Sequence, residues 1–462
     1  MQYVSTRGSA PVLGFAEAMM AGLARDGGLY VPAEVPAMPA GDIAALAGLP
    51  YEEVVFRVMR PFLGDAFSDD DFRGLIAAAY AGFAHPARAP LKQLARGHFL
   101  LELFHGPTLA FKDFAMQLIG RLFAHHLARS GGRITIAGAT SGDTGSAAIE
   151  AFRGLPGVDV FILYPHGRVS DVQRRQMTTP VEGNVHALAI DGDFDTAQAR
   201  VKDMFNDFAF RDRVGLAAVN SINWARVLAQ VVYFFAAAVA LGAPQRAVSF
   251  TVPTGNFGDI YAGHIARAMG LPIERLVIAT NRNDILHRAL TTGVYATETV
   301  QPTISPSMDI QVSSNFERAL FDALGRDGAA VAALMGDLRS AGAFRIPQGA
   351  LEGLRAGFAS GRASEEDTRA TIARTLAQTG ELLCPHSAVG VHVAEQHLGP
   401  VPMVTLATAH PAKFPDAVEA ATGIRPALPP RMADLFDRPE RVTRVPDDLT
   451  AIETLILERT GQ

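Results

Sequence analysis

Apolar residues recur along this chain in two rhythms. Short runs that alternate or saturate with aliphatic residues, "RITIAGA", "VDVFILYP", "NVHALAIDG", "VGLAAVN", "AVSFTVPTG" and "RLVIATN", read as strands. Between them lie stretches with apolar positions three and four apart, such as "FDTAQARVKDMFNDF", which read as helices. Another such stripe, Phe114, Leu118, Ile119, Leu122 and Phe123, runs on from Asp113 and ends at "RSGGR". Strands alternating with helices predict right-handed βαβ units, hence parallel sheets with helices on both faces. The alternation restarts near Trp224, which predicts two α/β lobes. Residues 1–91, helices and loops broken by "VPAEVPAMPAGD" and "HPARAP", read as an N-terminal cap. Residues 92–222 would then form a smaller lobe, and residues 223–462 a larger one whose C-terminal part, with "RPALPPRMADLF", runs over the surface.

The greasiest run, "VLAQVVYFFAAAVALGA" from Val227, is near the lower limit for spanning a bilayer and carries Gln230. It reads as a buried core helix. The N-terminus has no basic region followed by an apolar core, so no secretory signal is expected. A length of 462 residues predicts two or three domains. A hydrophobic content of 48% and a charged content of 19% are ordinary for a soluble globular protein. The net charge of −6 argues against a nucleic-acid surface. The single cysteine, Cys384, excludes an intramolecular disulfide framework and a Cys-based zinc site, and fits a cytoplasmic protein.

Lysine is scarce: only Lys92, Lys112, Lys202 and Lys413. Lys112 lies among Leu109, Phe111 and Phe114 at the start of a predicted helix, where the helix dipole lowers the pKa of an amine. A neutral amine is what Schiff-base chemistry needs; a lysine that snorkels out of a helix start is the plainer reading. Two glycine-bearing loops follow strands. "AGATSGDTGSAA" offers Gly138, Gly142, Gly145 and the hydroxyls of Ser141, Thr144 and Ser146 at a helix start, an anion cradle in type. Its glycine spacing is not that of a dinucleotide fingerprint, and a plain strand-to-helix turn remains the alternative. "TVPTGNFGD" offers Gly255 and Gly258, which let backbone approach a ligand, before a helix that Asp259 would cap. A lysine for an aldehyde plus cradles for anions suggest pyridoxal phosphate without compelling it.

Five motifs then carry a resemblance. "HGPTLAFKDFAMQ", "ATSGDTGSAA", "NSINWARVLAQ", "VPTGNFGD" and "LATAHPAKFPD", with "YVSTRG" and "LARDGGLYVP" before them, resemble the threonine synthase family, in its longer bacterial and fungal branch. The resemblance spans nearly the whole chain. It implies the tryptophan-synthase-β-like fold of pyridoxal-phosphate enzymes, fold type II, with the cofactor between two lobes. It implies that Lys112 holds the cofactor as a Schiff base, that Gly255, Asn256, Phe257 and Gly258 bind its phosphate, and that Thr408 faces its ring nitrogen. Asp143 stands where shorter relatives carry an asparagine beside the cofactor's phenolic oxygen, and an anion there would repel a phenolate. Ser141, Thr144, Asn223 and Arg226 match positions associated with the substrate's carboxylate and phosphate.

The implied reaction turns O-phospho-L-homoserine and water into L-threonine and phosphate, in a monomer or homodimer, with no metal. The nearest rival is another lyase of the same fold, such as a serine/threonine dehydratase; a catalytically inactive cofactor-binding homologue is a second. Several residues are not promoted. His105 reads as a positioning residue in the "HGPT" turn, and His125 and His126 as a solvated helix face. His386 and His410 belong to no cluster at ligand spacing. Lys413, in the Pro-flanked "HPAKFP" loop, is not expected to carry the Schiff base.

Overall fold

The computed structural model describes residues 1–461. All six predicted strands form. Ile134–Ala139, Val158–Pro165, Val185–Ile190 and Leu216–Ala217 share one five-stranded sheet, whose spatial order is Thr443–Val445, Val185–Ile190, Val158–Pro165, Ile134–Ala139, Leu216–Ala217. Every pairing in it is parallel. Val158–Pro165 is buried at every position, as a central strand covered on both faces must be. The second sheet has six strands in the order Phe358–Arg362, Ile273–Thr280, Val248–Pro253, Met403–Ala407, His98–Glu102, Leu91–Ala95. Only its edge pair, Leu91–Ala95 with His98–Glu102, is antiparallel.

Two placements differ from the expected lobe boundaries. The hairpin 91–102 precedes the first βαβ unit yet closes the edge of the larger sheet, because His98–Glu102 pairs with Met403–Ala407, three hundred residues on. The C-terminal segment does not simply run over the surface of the larger lobe. Thr443–Val445 adds a parallel strand to Val185–Ile190 of the smaller sheet, and Val445, Ile452 and Ile456 are buried in that lobe's core. A strand of three residues carries too little periodicity to be read in advance.

The greasy run folds as helix Trp224–Ala240 and is buried along almost its whole length. Among the described residues no helix is long and apolar enough to cross a membrane. The cap carries helices Phe15–Ala21, Ala40–Ala44, Tyr51–Leu63 and Asp69–Tyr80, and it shares one continuous apolar core with the lobes. Tyr80 donates from its hydroxyl to the Phe114 carbonyl at 2.9 Å, and Tyr51 meets Phe114 edge-on at 5.5 Å between ring centroids. The cap therefore rests on the helix that begins with Lys112. His125, on the same helix, packs against Phe67 of the cap at 5.5 Å rather than facing solvent, so the solvated-face reading fails there.

Candidate active site

Lys112 is the first residue of helix Lys112–Ser130, and its side chain is only 10% exposed. The loop before it is fixed by Asp113, whose carboxylate accepts the Thr108 N–H at 2.8 Å and the Thr108 hydroxyl at 2.7 Å. Gly106 is required in that turn, since a Cβ there would lie 2.4 Å from the Cβ of Asp113. Burial pushes the Asp113 carboxyl up to about 6, against the pull of its Thr108 hydrogen bonds and Lys413. The Phe111 N–H donates to the Thr408 carbonyl at 2.8 Å, which ties the lysine loop to the end of strand Met403–Ala407. Thr408 is buried, and its hydroxyl has no partner among the described residues.

The lysine amine faces Asp143, 3.6 Å from Oδ2. Burial lowers the pKa of Lys112; Asp143 opposes that shift, while Arg226 and Lys413 reinforce it. Asp143 begins helix Asp143–Phe152 and is itself buried. Its Oδ1 accepts from Lys413 Nζ at 2.8 Å and from Gln173 Nε2 at 2.9 Å. Burial alone would raise its carboxyl; Lys413 first, then Lys112, holds it far below the usual carboxylate range. Lys413, whose Pro-flanked loop allows it to approach the site, is fully buried there. Its second contact is the Thr108 carbonyl, at 2.8 Å. Only the fold brings together residues 108, 143 and 413.

The turn between strand Ile134–Ala139 and helix Asp143–Phe152 is braced by Thr140, whose hydroxyl accepts the N–H groups of Gly142 and Gly145, each at 2.9 Å. Ser141 and Thr144 are half-buried. Neither their hydroxyls nor the N–H groups of Ser141, Asp143 and Thr144 find an acceptor among the described residues. Open donors at a helix start are what an anion needs.

The Thr254–Gly258 turn leaves strand Val248–Pro253 and enters helix Gly258–Ala268 through Phe257 at φ +65. Its carbonyls point away from the cleft. Ser313 Oγ donates to the Gly255 carbonyl at 2.6 Å, and Asn315 Nδ2 to the Asn256 carbonyl at 2.9 Å. The N–H groups of Gly255, Asn256, Phe257 and Gly258 have no acceptor among the described residues, so the turn is a second open cradle. The Phe257 ring packs back onto Phe316 and Phe358. A Cβ at Gly255 would lie 2.8 Å from the Ser307 carbonyl, and the Ser307 hydroxyl is 3.5 Å from Asp143 Oδ2. The two cradles and Lys112 thus border one cleft. His386, at the start of helix Pro385–Glu395, accepts the Ser307 N–H on Nε2 at 3.2 Å; burial pushes its imidazole down to about 4.

Two expected roles change. Asp259 does not cap the helix, which has no side-chain cap. It hydrogen-bonds the Tyr233 hydroxyl, its Oδ2 lacks a partner, and burial pushes its carboxyl up to about 7. Asn223 is fully buried and committed to the fold: Oδ1 accepts the Ala225 N–H at 3.0 Å, and Nδ2 donates to the Met19 carbonyl at 2.8 Å. It holds the start of helix Trp224–Ala240. Three residues on, Arg226 spends one donor on the Val219 carbonyl at 3.2 Å and leaves Nε buried without a partner. Among the described residues no group of three or more His, Cys, Asp or Glu is arranged to hold a metal.

Three family models cover this geometry. The model "Threonine synthase N terminus" matches residues 2–80, "Pyridoxal-phosphate dependent enzyme" residues 85–338, and "Threonine synthase, C-terminal" residues 387–456. A "Threonine synthase" of Pseudomonas aeruginosa is 54% identical over 459 residues, covering 99% of this chain and 98% of that one. The chain belongs to the threonine synthase family. A crystal structure described as pyridoxal-phosphate-bound threonine synthase from Brucella melitensis superposes with a TM-score of 0.98 at 56% identity, covering 100% of both chains. The threonine synthase structure from Escherichia coli gives 0.84 at 34% identity, covering 99% of this chain and 100% of that one. The threonine synthase family is pyridoxal-phosphate-dependent, and the fold is type II. The residues present fit that cofactor. The site offers a buried amine with a lowered pKa that would suit an aldehyde, a turn of four unpaired N–H groups that would suit a phosphate, and an unpartnered hydroxyl at Thr408.

Proposed function

We propose that this chain converts O-phospho-L-homoserine and water into L-threonine and phosphate, with Lys112 as the reacting amine. The observation that supports this best is the cluster itself: one buried amine whose pKa burial lowers, flanked by two open anion cradles and an unsatisfied buried guanidinium. Three anionic groups need seats in this reaction, namely the cofactor phosphate, the substrate carboxylate and the substrate phosphate. Gly255, Asn256, Phe257 and Gly258 would hold the first through main-chain N–H groups. Ser141 and Thr144 would hold the carboxylate at the start of helix Asp143–Phe152. Arg226 suits the substrate phosphate, since its planar fork matches phosphate oxygens. Asn223 would act by positioning Arg226.

Bound pyridoxal phosphate supplies a conjugated ring that draws electrons from the substrate carbon bearing the amine. Lys112 does the proton work. Its amine takes the proton from Cα, then one from Cβ, and the Cγ–O bond to phosphate breaks. A proton returned to Cγ, a hydroxyl added at Cβ from water, whose other hydrogen leaves on the phosphate, and a proton returned to Cα complete the balance. The Thr408 hydroxyl, unlike a carboxylate, does not hold the ring nitrogen protonated. The cap, seated on the helix of Lys112 through Tyr51 and Tyr80, would limit water at the reacting carbons.

We place the enzyme in the cytoplasm, as a monomer or homodimer; the lone buried thiol Cys384 is in keeping with that compartment. Incubation with O-phospho-L-homoserine tests the reading. Threonine and phosphate should form in equal amounts; 2-oxobutanoate in place of threonine would make the protein a simple lyase, and no turnover an inactive binder.

A further inference from the structure

Asp143, Lys112 and Lys413 place two amines against one carboxylate in a buried site. The two contacts are unequal. Lys413 Nζ lies 2.8 Å from Asp143 Oδ1 and 2.8 Å from the Thr108 carbonyl, and the side chain is fully buried. Lys112 Nζ lies 3.6 Å from the other oxygen, beyond hydrogen-bonding distance. Gln173 takes a further place on Asp143 Oδ1 at 2.9 Å. A buried charge needs a partner, and the one carboxylate within 4 Å of Lys112 among the described residues is already engaged by Lys413.

We propose that Lys413 is a positioning residue that occupies the Asp143 charge, so that Lys112 is the amine left to lose its proton and react. The inference rests on the reading of Lys112 as the cofactor lysine. It also accounts for an anion at position 143 beside a cofactor with a phenolic oxygen: the carboxylate is paired before the cofactor arrives. Lys413 belongs to the short helical turn Pro411–Lys413, and its N–H donates to the His410 carbonyl at 3.1 Å, so its side chain enters the site from a fixed base.

The charged and titratable groups facing Lys112 come from five elements. They are Asp143 on helix Asp143–Phe152, Arg226 on helix Trp224–Ala240, Asp259 on helix Gly258–Ala268, His386 on helix Pro385–Glu395, and Lys413. Asp113, next to Lys112 on its own helix, faces Lys413. Arg226 acts on Lys112 in the same sense as Lys413, but it hydrogen-bonds the Val219 carbonyl and is not among the residues ion-paired with Asp143. Only Lys413 both neutralises the carboxylate and adds positive potential at Lys112.

The composition makes this directly measurable. The remaining lysines, Lys92 and Lys202, are exposed and serve as internal references. The full chain, freed of cofactor, is labelled with an amine-selective reagent across pH, and the rate at each lysine is read by peptide mass spectrometry. Lys413→Met should raise the midpoint for Lys112 by about one unit, the size of shift expected from an unbalanced neighbouring carboxylate. Asp143→Asn should lower that midpoint, because Lys413 then acts alone. The double variant Asp143→Asn with Lys413→Met should fall between the two, and Lys413→Arg should stay with the natural chain. If Lys413→Met does not fold, the opposite shift in Asp143→Asn and the intermediate value of the double variant still decide the matter. Midpoints that do not move, or that move in the same direction in both single variants, overturn the proposal. Failure of the Lys112 assignment is a separate result: reduction with borohydride would then fix the cofactor elsewhere, whatever the labelling midpoints.

Discussion

Asn315 holds the Asn256 carbonyl twice, through its own N–H at 3.0 Å and through Nδ2 at 2.9 Å. That double grip, with the Ser313 hydroxyl on the Gly255 carbonyl, turns the loop so that its N–H groups remain free. An acceptor drawn back on one side of a peptide presents the donor on the other, because the peptide unit is planar. Asn315→Ala keeps the main-chain half of that grip but loses the Nδ2 bonds to the Asn256 and Ser221 carbonyls, and should therefore weaken pyridoxal-phosphate binding by about fivefold, the net worth of one hydrogen bond. Titration of the cofactor-free chain, followed by visible absorption, gives the value. Affinity equal to that of the natural chain would show that the loop keeps its shape without Asn315.

Arg318 extends this support to the cap. It is completely buried and donates to the carbonyls of Tyr30 at 2.9 Å and Ile222 at 2.7 Å, and to the Asn315 side chain. Arg318→Met should destabilise the protein by about 3 kcal/mol, since it strands several buried acceptors at once. The readout is the denaturant midpoint, with the slope unchanged.

Asp259 gives a prediction in pH. Its carboxyl is pushed by burial from 3.8 up to about 7. The folded chain then binds a proton that the unfolded chain has released over that interval, so this group lowers stability as pH rises through it. Asp259→Asn removes the effect. Thermal midpoints of the variant, relative to the natural chain without cofactor, should improve steadily from about pH 4 to about pH 8. A constant difference across pH would mean that Asp259 titrates normally.

Local sequence made much of the site legible. Lys112 stood out because lysine is rare and apolar residues surround it, and the turns at 138–145 and 254–258 announced themselves by glycine after a strand. Both signals lie within a dozen residues. Lys413 sits in a recognisable motif, but its pairing with Asp143 comes only from the fold; Asn315, Arg318 and His386 are placed by tertiary contacts that nothing in their local sequence marks. Asn223 shows the converse: a residue inside a recognisable motif whose side chain is consumed by capping a helix and holding Met19. The crossing of the chain between the two sheets is illegible for a related reason. Chain order does not reveal that the hairpin 91–102 pairs with Met403–Ala407, or that the last strand returns to the first sheet.

The central claim is that the amine at position 112, and not the more deeply buried amine at 413, carries the cofactor. Borohydride reduction of the cofactor-loaded chain followed by peptide mapping puts it to the most direct test. The account predicts a reduced pyridoxyl group on Lys112 alone, and no fixed label in Lys112→Ala. A label on Lys413, or one that persists in Lys112→Ala, would contradict it.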